Sequence, residues 1–139
     1  MTERRDPRKI RAMFDRISPR YDVLNRLLSG FQDQRWRHRA VRLLGDLAGG
    51  TVLDLCCGTG DFIGLFRKKF GDSIHIYGID FALNMLSRSE RRHSTEKYDN
   101  ILHCQGDAMA LPLMDRTIDA VTIGFGIRNV EDRLVSLKD

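Results

Sequence analysis

Thr51-Val-Leu-Asp-Leu-Cys-Cys-Gly-Thr-Gly60 decides the fold. A short apolar run from Thr51 to Cys56 meets a turn with glycine at 58 and 60. Phe62, Ile63, Phe66 and Phe70 follow at helical spacing, and Gly71-Asp72 closes that helix. Strand, glycine turn and helix in this order open a βαβ unit. Downstream the same alternation continues. Ser73 to Ile79 reads as a second strand ending at Asp80, and a helix runs from about Leu83 to Arg92. Asn100 to Cys104 is a third strand closed by Gly106-Asp107, Asp119 to Gly124 is a fourth, and Asp132 to Lys138 starts another helix. Short apolar strands alternating with helices predict an α/β fold, a parallel sheet with helices on both faces.

Upstream the period is helical, which divides the chain into a helical segment, 1–50, and a strand-bearing segment, 51–139. Asp6-Pro7 is a helix start, with Ile10, Met13, Phe14 and Ile17 on one stripe. A second helix carries Tyr21, Leu24, Leu27 and Leu28 and stops at Ser29-Gly30. A third runs from about Gln34 to Leu47, with Trp36, Ala40, Val41, Leu43, Leu44 and Leu47 expected on its buried side.

The 139 residues are 42% hydrophobic and 30% charged, enough apolar chain for one core, and with 12 Gly, 3 Pro and no low-complexity run they exclude a collagen-like or disordered protein. No apolar run is long enough to span a bilayer, and the charged N-terminus is no signal peptide. Cys56, Cys57 and Cys104 form neither a disulfide framework nor a metal site, so the expectation is a reducing, cytoplasmic setting and no metal. Residues 1–42 hold 12 Lys and Arg against 5 Asp and Glu, whereas 43–139 hold 11 against 14. The basic excess of the first segment is either a solvated helix face or a surface for a nucleic acid, an anionic membrane or an anionic ligand.

The turn at Gly58 and Gly60 either lets a ligand approach the backbone or is a plain structural turn. A dinucleotide fingerprint needs a third glycine, and Ile63 stands there, which disfavours a nicotinamide dehydrogenase. Asp54, inside the strand, suits an ammonium group or ordered water and is a poor neighbour for a pyrophosphate. A cationic, phosphate-free nucleoside fits this pattern. Asp80 ends the second strand 20 residues after Gly60, where a carboxylate accepts both ribose hydroxyls or caps the next helix. Asp107 either accepts from an adenine amine or caps its loop. Ala108 leaves room for a flat ring, on which Phe81 or Met85 can pack. His38, His75, His93 and His103 show no pairing pattern and read as surface or strand positions.

Asp54 to Asp61, Asp80, Gly106-Asp-Ala108 and Leu111 to Asp119 together resemble a class I S-adenosylmethionine-dependent methyltransferase, with a Rossmann-like fold. More narrowly, Met13 to Asn25, Leu53 to Asp61 and Gly124-Phe-Gly-Ile-Arg-Asn-Val130 resemble the ubiquinone/menaquinone biosynthesis C-methyltransferases. The resemblance implies S-adenosyl-L-methionine as cofactor. It assigns Thr59 and the turn glycines to the methionyl part, Asp80 to the ribose, Asp107 and Ala108 to the adenine, and Gly124 to a further cofactor contact where many relatives have serine. Cys56 replaces the first glycine of the general methyltransferase turn. The implied acceptor is a prenylated quinol, of benzoquinol or naphthoquinol type. Arg128 is expected to stabilise phenolate charge, Asn129 to orient a ring oxygen, and Tyr21 to line the pocket.

The family's strand order implies that these residues supply the 3-2-1-4 part of the sheet, only the first four strands. A truncated chain is therefore expected, with its fourth strand an open edge and a homodimer one outcome. Peripheral contact with the inner face of a membrane follows from the basic segment and the lipid-soluble substrate. A nucleic-acid partner is not expected: no Asp/Asn-Pro-Pro-aromatic run of a DNA amino-methyltransferase follows the fourth strand. The alternatives are another small-molecule methyltransferase on the same scaffold and a non-catalytic cofactor-binding or assembly protein.

Overall fold

The computed structural model describes residues 6–17, 19–94, 99–124, 126–130 and 134. Three helices come first: α1 (Pro7–Ile17), α2 (Tyr21–Leu28) and α3 (Gln32–Leu43). Then follow β1 (Thr51–Leu55), α4 (Asp61–Phe70), β2 (His75–Asp80), α5 (Leu83–His93), β3 (Ile101–Gln105) and β4 (Ala120–Ile123), with a single 3₁₀ turn at Gly126–Asn129. The helix expected over Asp132–Lys138 lies outside the described residues, Leu134 apart.

All strand pairs are parallel, in the order β3-β2-β1-β4. β1 is central, and Val52, Leu53, Asp54 and Leu55 are all buried. Its alternation sorts the core into two layers. Val52 and Ile76 face α4 and α5, packing with Phe62, Ile63, Phe66 and Leu86. Leu53, Leu55 and Ile79 face the other way, against Ala108, Leu111, Leu113 and Ile118. Among the described residues, helices therefore cover one face, and the β3–β4 connection covers the other as irregular chain. The physical reason is topological: β1, β2 and β3 advance in one direction, which puts both right-handed crossovers on one side.

The N-terminal helices close the carboxyl end of the sheet. The Phe14 ring meets Tyr21 and Phe81 edge-on at centroid distances of 5.8 and 6.2 Å. Asp15 on α1 accepts a hydrogen bond from the Asn84 N–H in the first turn of α5. Asp6 caps α1 as expected, its Oδ1 accepting from the Arg8 N–H.

α3 corrects the reading of its buried side. It spans Gln32–Leu43 rather than 34–47, and Trp36 (53% exposed) and Leu43 (80%) face solvent. Val41 is buried and Ala40, Leu44 and Leu47 pack against the core as expected, while Asp33 and Arg37 also point inward. Arg37 reaches the Asp61 carboxylate on α4 from the same inward side, an ionic contact that takes the place expected for Trp36. Lys69 then donates to the terminal carbonyls of Val41 and Leu44, which would otherwise lack helical partners.

Candidate functional site

Three residues of the β1–α4 turn, Cys56, Gly58 and Gly60, have φ between 56° and 83°. Left-handed backbone at three of five positions folds the chain back tightly enough to leave space above β1. Gly60 has a second constraint: a Cβ there would lie 2.2 Å from Ser89 Oγ. Its carbonyl accepts from His93 Nε2, 2.8 Å away, so that nitrogen carries the proton. Desolvation keeps His93 neutral, moving its pKa down to about 4. Gly60 and His93 thus clamp the turn onto α5.

Asp80 braces the same turn from β2. Its Oδ2 accepts from the Gly58 N–H and its Oδ1 from the Ala82 N–H, both at 2.8 Å. Burial raises its pKa, while those backbone donors oppose the rise. Both oxygens retain a lone pair for a further donor. Thr59 Oγ1 donates to Asp22 Oδ1 at 2.6 Å, tying α2 to the turn.

Two open cavities meet at this turn. The first is lined by Phe14, Tyr21, Cys56, Gly58, Asp80, Phe81, Met85, Gly124 and Gly126. The second is lined by Tyr21, Asp22, Arg37, Asp54, Cys56, Cys57, Gly58, Thr59, Asp61, Phe62 and Gly124. One is mainly apolar and aromatic around a carboxylate. The other is ionic.

In the second cavity Asp54 is buried and accepts from Thr122 Oγ1 at 2.9 Å. Desolvation lifts its pKa from 3.8 to about 7, against the Thr122 hydrogen bond and the Arg37 charge. A cation brought beside it would relieve that cost. Asp61 behaves oppositely. Burial would raise it, but the Arg92 hydrogen bond and the charges of Arg37, Arg92 and Arg26 outweigh burial and hold it below the usual carboxylate range. Arg37 lies 2.7 Å and Arg92 2.8 Å from its oxygens.

The structure brings Tyr21, Asp54, Gly58, Thr59, Asp80, Phe81, Met85 and Gly124 together at the carboxyl ends of β1, β2 and β4. It does not bring Gly60, Asp107, Ala108 or Arg128 to the lining of either cavity. Gly60 packs on α5. Asp107 is exposed and accepts from the Met109 N–H, capping its own turn. Ala108 is buried in the core beneath β2, and Arg128 is exposed. The side chain of Asn129 lies outside the described residues. Gly124 is glycine for a local reason: a Cβ there would stand 2.9 Å from the Phe62 ring.

Sequence reading missed Phe14, Arg37, Asp61 and His93. Phe14 read as one more core position. Arg37, Asp61 and His93 find their partners 24 to 33 residues away. The spacing of Asp33 and Arg37, one helical turn apart, was the available signal for an inward ionic stripe. Among the described residues no cluster suited to a metal ion is found, and no helix is long and apolar enough to cross a membrane.

The donor set suits a ligand with a diol, a flat ring and a zwitterionic end. Residues 1–139 match the model of the ubiE/COQ5 methyltransferase family. A demethylmenaquinone methyltransferase of Bacillus licheniformis is 42% identical over 131 residues, covering 94% of this chain and 56% of that protein. Those of Lactococcus lactis and Staphylococcus aureus are 40% and 42% identical, with 52% and 54% of their lengths covered. The chain thus spans about half the length of these relatives. In fold it is similar to a SAM-dependent methyltransferase from Aquifex aeolicus (TM-score 0.65, 22% identity, 73% of this chain and 54% of that one). It is also similar to Haemonchus contortus phosphoethanolamine N-methyltransferase 1, solved with S-adenosylhomocysteine (TM-score 0.62, 23% identity, 81% and 24%). With its four parallel strands, its glycine turn and a family match along its whole length, this chain belongs to the ubiE/COQ5 methyltransferase family.

Proposed function

We propose that this chain carries the cofactor-binding half of an S-adenosyl-L-methionine-dependent C-methyltransferase acting on a prenylated quinol, of the demethylmenaquinol type. The observation that carries this reading is the meeting of an aromatic cavity with Asp80 and Gly58 at the strand ends. The names of the relatives favour a naphthoquinol over a benzoquinol ring.

S-adenosyl-L-methionine, when bound, supplies an electrophilic methyl group on a neutral leaving thioether. The protein's part is alignment and exclusion of water. Asp80 would accept from the ribose hydroxyls, Gly58 and Thr59 would border the methionyl part, and Asp54 would meet the ammonium group. Phe81 and Met85 would supply an apolar wall for the adenine, Asp107 and Ala108 standing outside the lining of both cavities. Phe14 and Tyr21 line the aromatic cavity, which supports residues 1–50 as an acceptor-side segment beside the cofactor segment 51–139. Arg128, with Asn129, would steady negative charge on the ring oxygen once the acceptor is seated.

The same helices offer a surface for an anionic bilayer, where a prenylated quinol resides. Leu27, Leu28 and Trp36 are exposed among the exposed Arg20, Arg35, Arg39 and Arg42.

Calorimetry with S-adenosylhomocysteine tests the reading. Binding is expected, and Asp80→Asn, which keeps one acceptor for the Gly58 or Ala82 N–H, should weaken it about tenfold or more, as loss of a charge-assisted hydrogen bond does. Equal affinities, or no binding by the unsubstituted chain, would overturn it.

A further inference from the structure

We propose that the Cys56 side chain is the spacer between the cofactor turn and the 3₁₀ turn Gly126–Asn129, so that a ligand seated over β1 fixes the place of the turn that carries Arg128. Cys56 is thus a positioning residue; this rests on the cofactor reading above.

Backbone is the first support. Among the described residues Phe31, Cys56 and Arg116 are the non-glycine residues with left-handed φ. Phe31 and Arg116 are exposed, whereas Cys56 is half-buried and lines both cavities. A side chain costs conformational energy at a φ of 56°, and glycine, as at Gly58 and Gly60, does not. A side chain held there against that cost points to a use for its atoms. Reactivity is not that use. Burial, with the charges of Asp80, Asp54 and Asp107, pushes the thiol pKa up to about 12, so it stays protonated and presents shape rather than a nucleophile.

Contact is the second. A Cβ on Gly126 would overlap the Cys56 Cβ and stand 3.0 Å from its Sγ. The Cys56 Cβ is fixed by the backbone, so no rotamer relieves the overlap. Gly126 opens a 3₁₀ turn, a backbone that any residue adopts, so what glycine supplies there is space. Residues 56 and 126 therefore fit as a pair of which one carries a Cβ. Both line the aromatic cavity. The Gly126 N–H donates to the Gly124 carbonyl at 2.7 Å, joining the turn to the end of β4, and the Val130 N–H donates to the Ile127 carbonyl at 3.4 Å. Cys56 and Val130 pack on the same core layer, that of Leu53 and Leu55. The turn is thus tied at both ends, and Cys56 sets how closely its first residue approaches β1. A shift of residue 126 would carry Arg128, two residues on.

The test is hydrogen exchange at the Gly126 and Val130 amides, read by NMR with and without saturating S-adenosylhomocysteine, whose binding calorimetry measures separately. In the unsubstituted chain the ligand should slow exchange at both amides by about tenfold or more. Cys56→Gly should bind the ligand yet lose that slowing, and Cys56→Ala, which keeps the Cβ, should retain it. Gly126→Ala should lower the melting temperature by about 4 °C or more through overpacking, and adding Cys56→Gly should restore most of it. If Gly126→Ala does not fold, the double variant still should. Equal slowing in Cys56→Gly, loss of its ligand binding, no slowing in the unsubstituted chain, a Gly126→Ala chain of unchanged stability or no recovery in the double variant would each overturn the proposal while leaving the cofactor reading intact. Failure of the unsubstituted chain to bind S-adenosylhomocysteine would overturn the cofactor reading, and this proposal with it.

Discussion

α4 and α2 carry the same kind of message in sequence, an apolar stripe at helical spacing, and meet opposite fates. α4 seats Phe62, Ile63 and Phe66 against β1 and β2, with Phe66 fully buried. α2 buries none of its residues, and Leu28 is 79% exposed. The pattern determines that a helix forms and which face is apolar. What covers that face depends on partners elsewhere in space. α4 directly follows a strand and is folded back onto it by the glycine turn, whereas α2 is held by the polar contact from Asp22 to Thr59 and the edge contact of Tyr21 with Phe14.

The largest expected effect lies in α4. Phe66→Ala should cost about 3–5 kcal/mol, through lost transfer energy and the cavity left between α4 and the sheet. Chemical denaturation read by circular dichroism measures it. A loss below about 1 kcal/mol would mean that the helix layer can collapse to fill the space, and the distinction from α2 would fail.

The strand-bearing half was legible because its signals are local. Apolar runs of five or six residues, the glycines at 58 and 60 and the acids at strand ends all act within one βα unit, and each stands within a residue or two of its expected place. The ionic side of the site was not legible for the converse reason. Arg37 looks like any other cation of α3 until Asp61 is placed beside it, and Trp36 looks like a core residue until Arg37 has taken the inward face. Asp107 shows the limit of local reading from the other direction. Its loop position admitted a ligand role or a cap, and only the Met109 N–H beside it distinguishes what its carboxylate does in this structure.

Two acids at the root of α4 sharpen the comparison through pH. Asp61 has a lowered pKa in the folded chain, so its stabilisation is present above the ordinary carboxylate range and is lost as pH falls through the lowered value. Asp54 has a raised pKa, about 7, so the folded chain binds the extra proton and stability declines as pH rises from about 4 towards 7. Asp61→Asn should therefore destabilise by about 3 kcal/mol at pH 7, leaving Arg37 and Arg92 uncompensated, by nearly as much at pH 4, and by less only as pH falls through the lowered value. Asp54→Asn should do the reverse, a gain of about 1–2 kcal/mol at pH 8 that vanishes at acid pH. Melting curves from pH 2 to 8 give both slopes, that of Asp61 at the acid end and that of Asp54 between about pH 4 and 7. Parallel curves for the two variants would remove the opposite electrostatic roles.

The smallest effect on stability is expected in α2, and it carries a separate consequence. Leu27 and Leu28 are exposed, so Leu27→Ala with Leu28→Ala removes no packed contact, and denaturation should change by no more than about 0.5 kcal/mol. On the bilayer reading proposed above, the same two exposed side chains would enter the lipid interface together with the basic residues of α3. Each leucine shortened to alanine gives up roughly 2 kcal/mol of apolar transfer when its side chain is buried in the partner phase. Co-sedimentation with anionic vesicles should accordingly fall by tenfold or more in the double variant, with the unsubstituted chain released by raising salt. Stability and vesicle binding are thus expected to separate here, where in α4 a substitution acts on stability first. A stability loss above about 2 kcal/mol would show that α2 packs within the chain. Unchanged vesicle binding in the double variant would take the bilayer away as the partner of its apolar face.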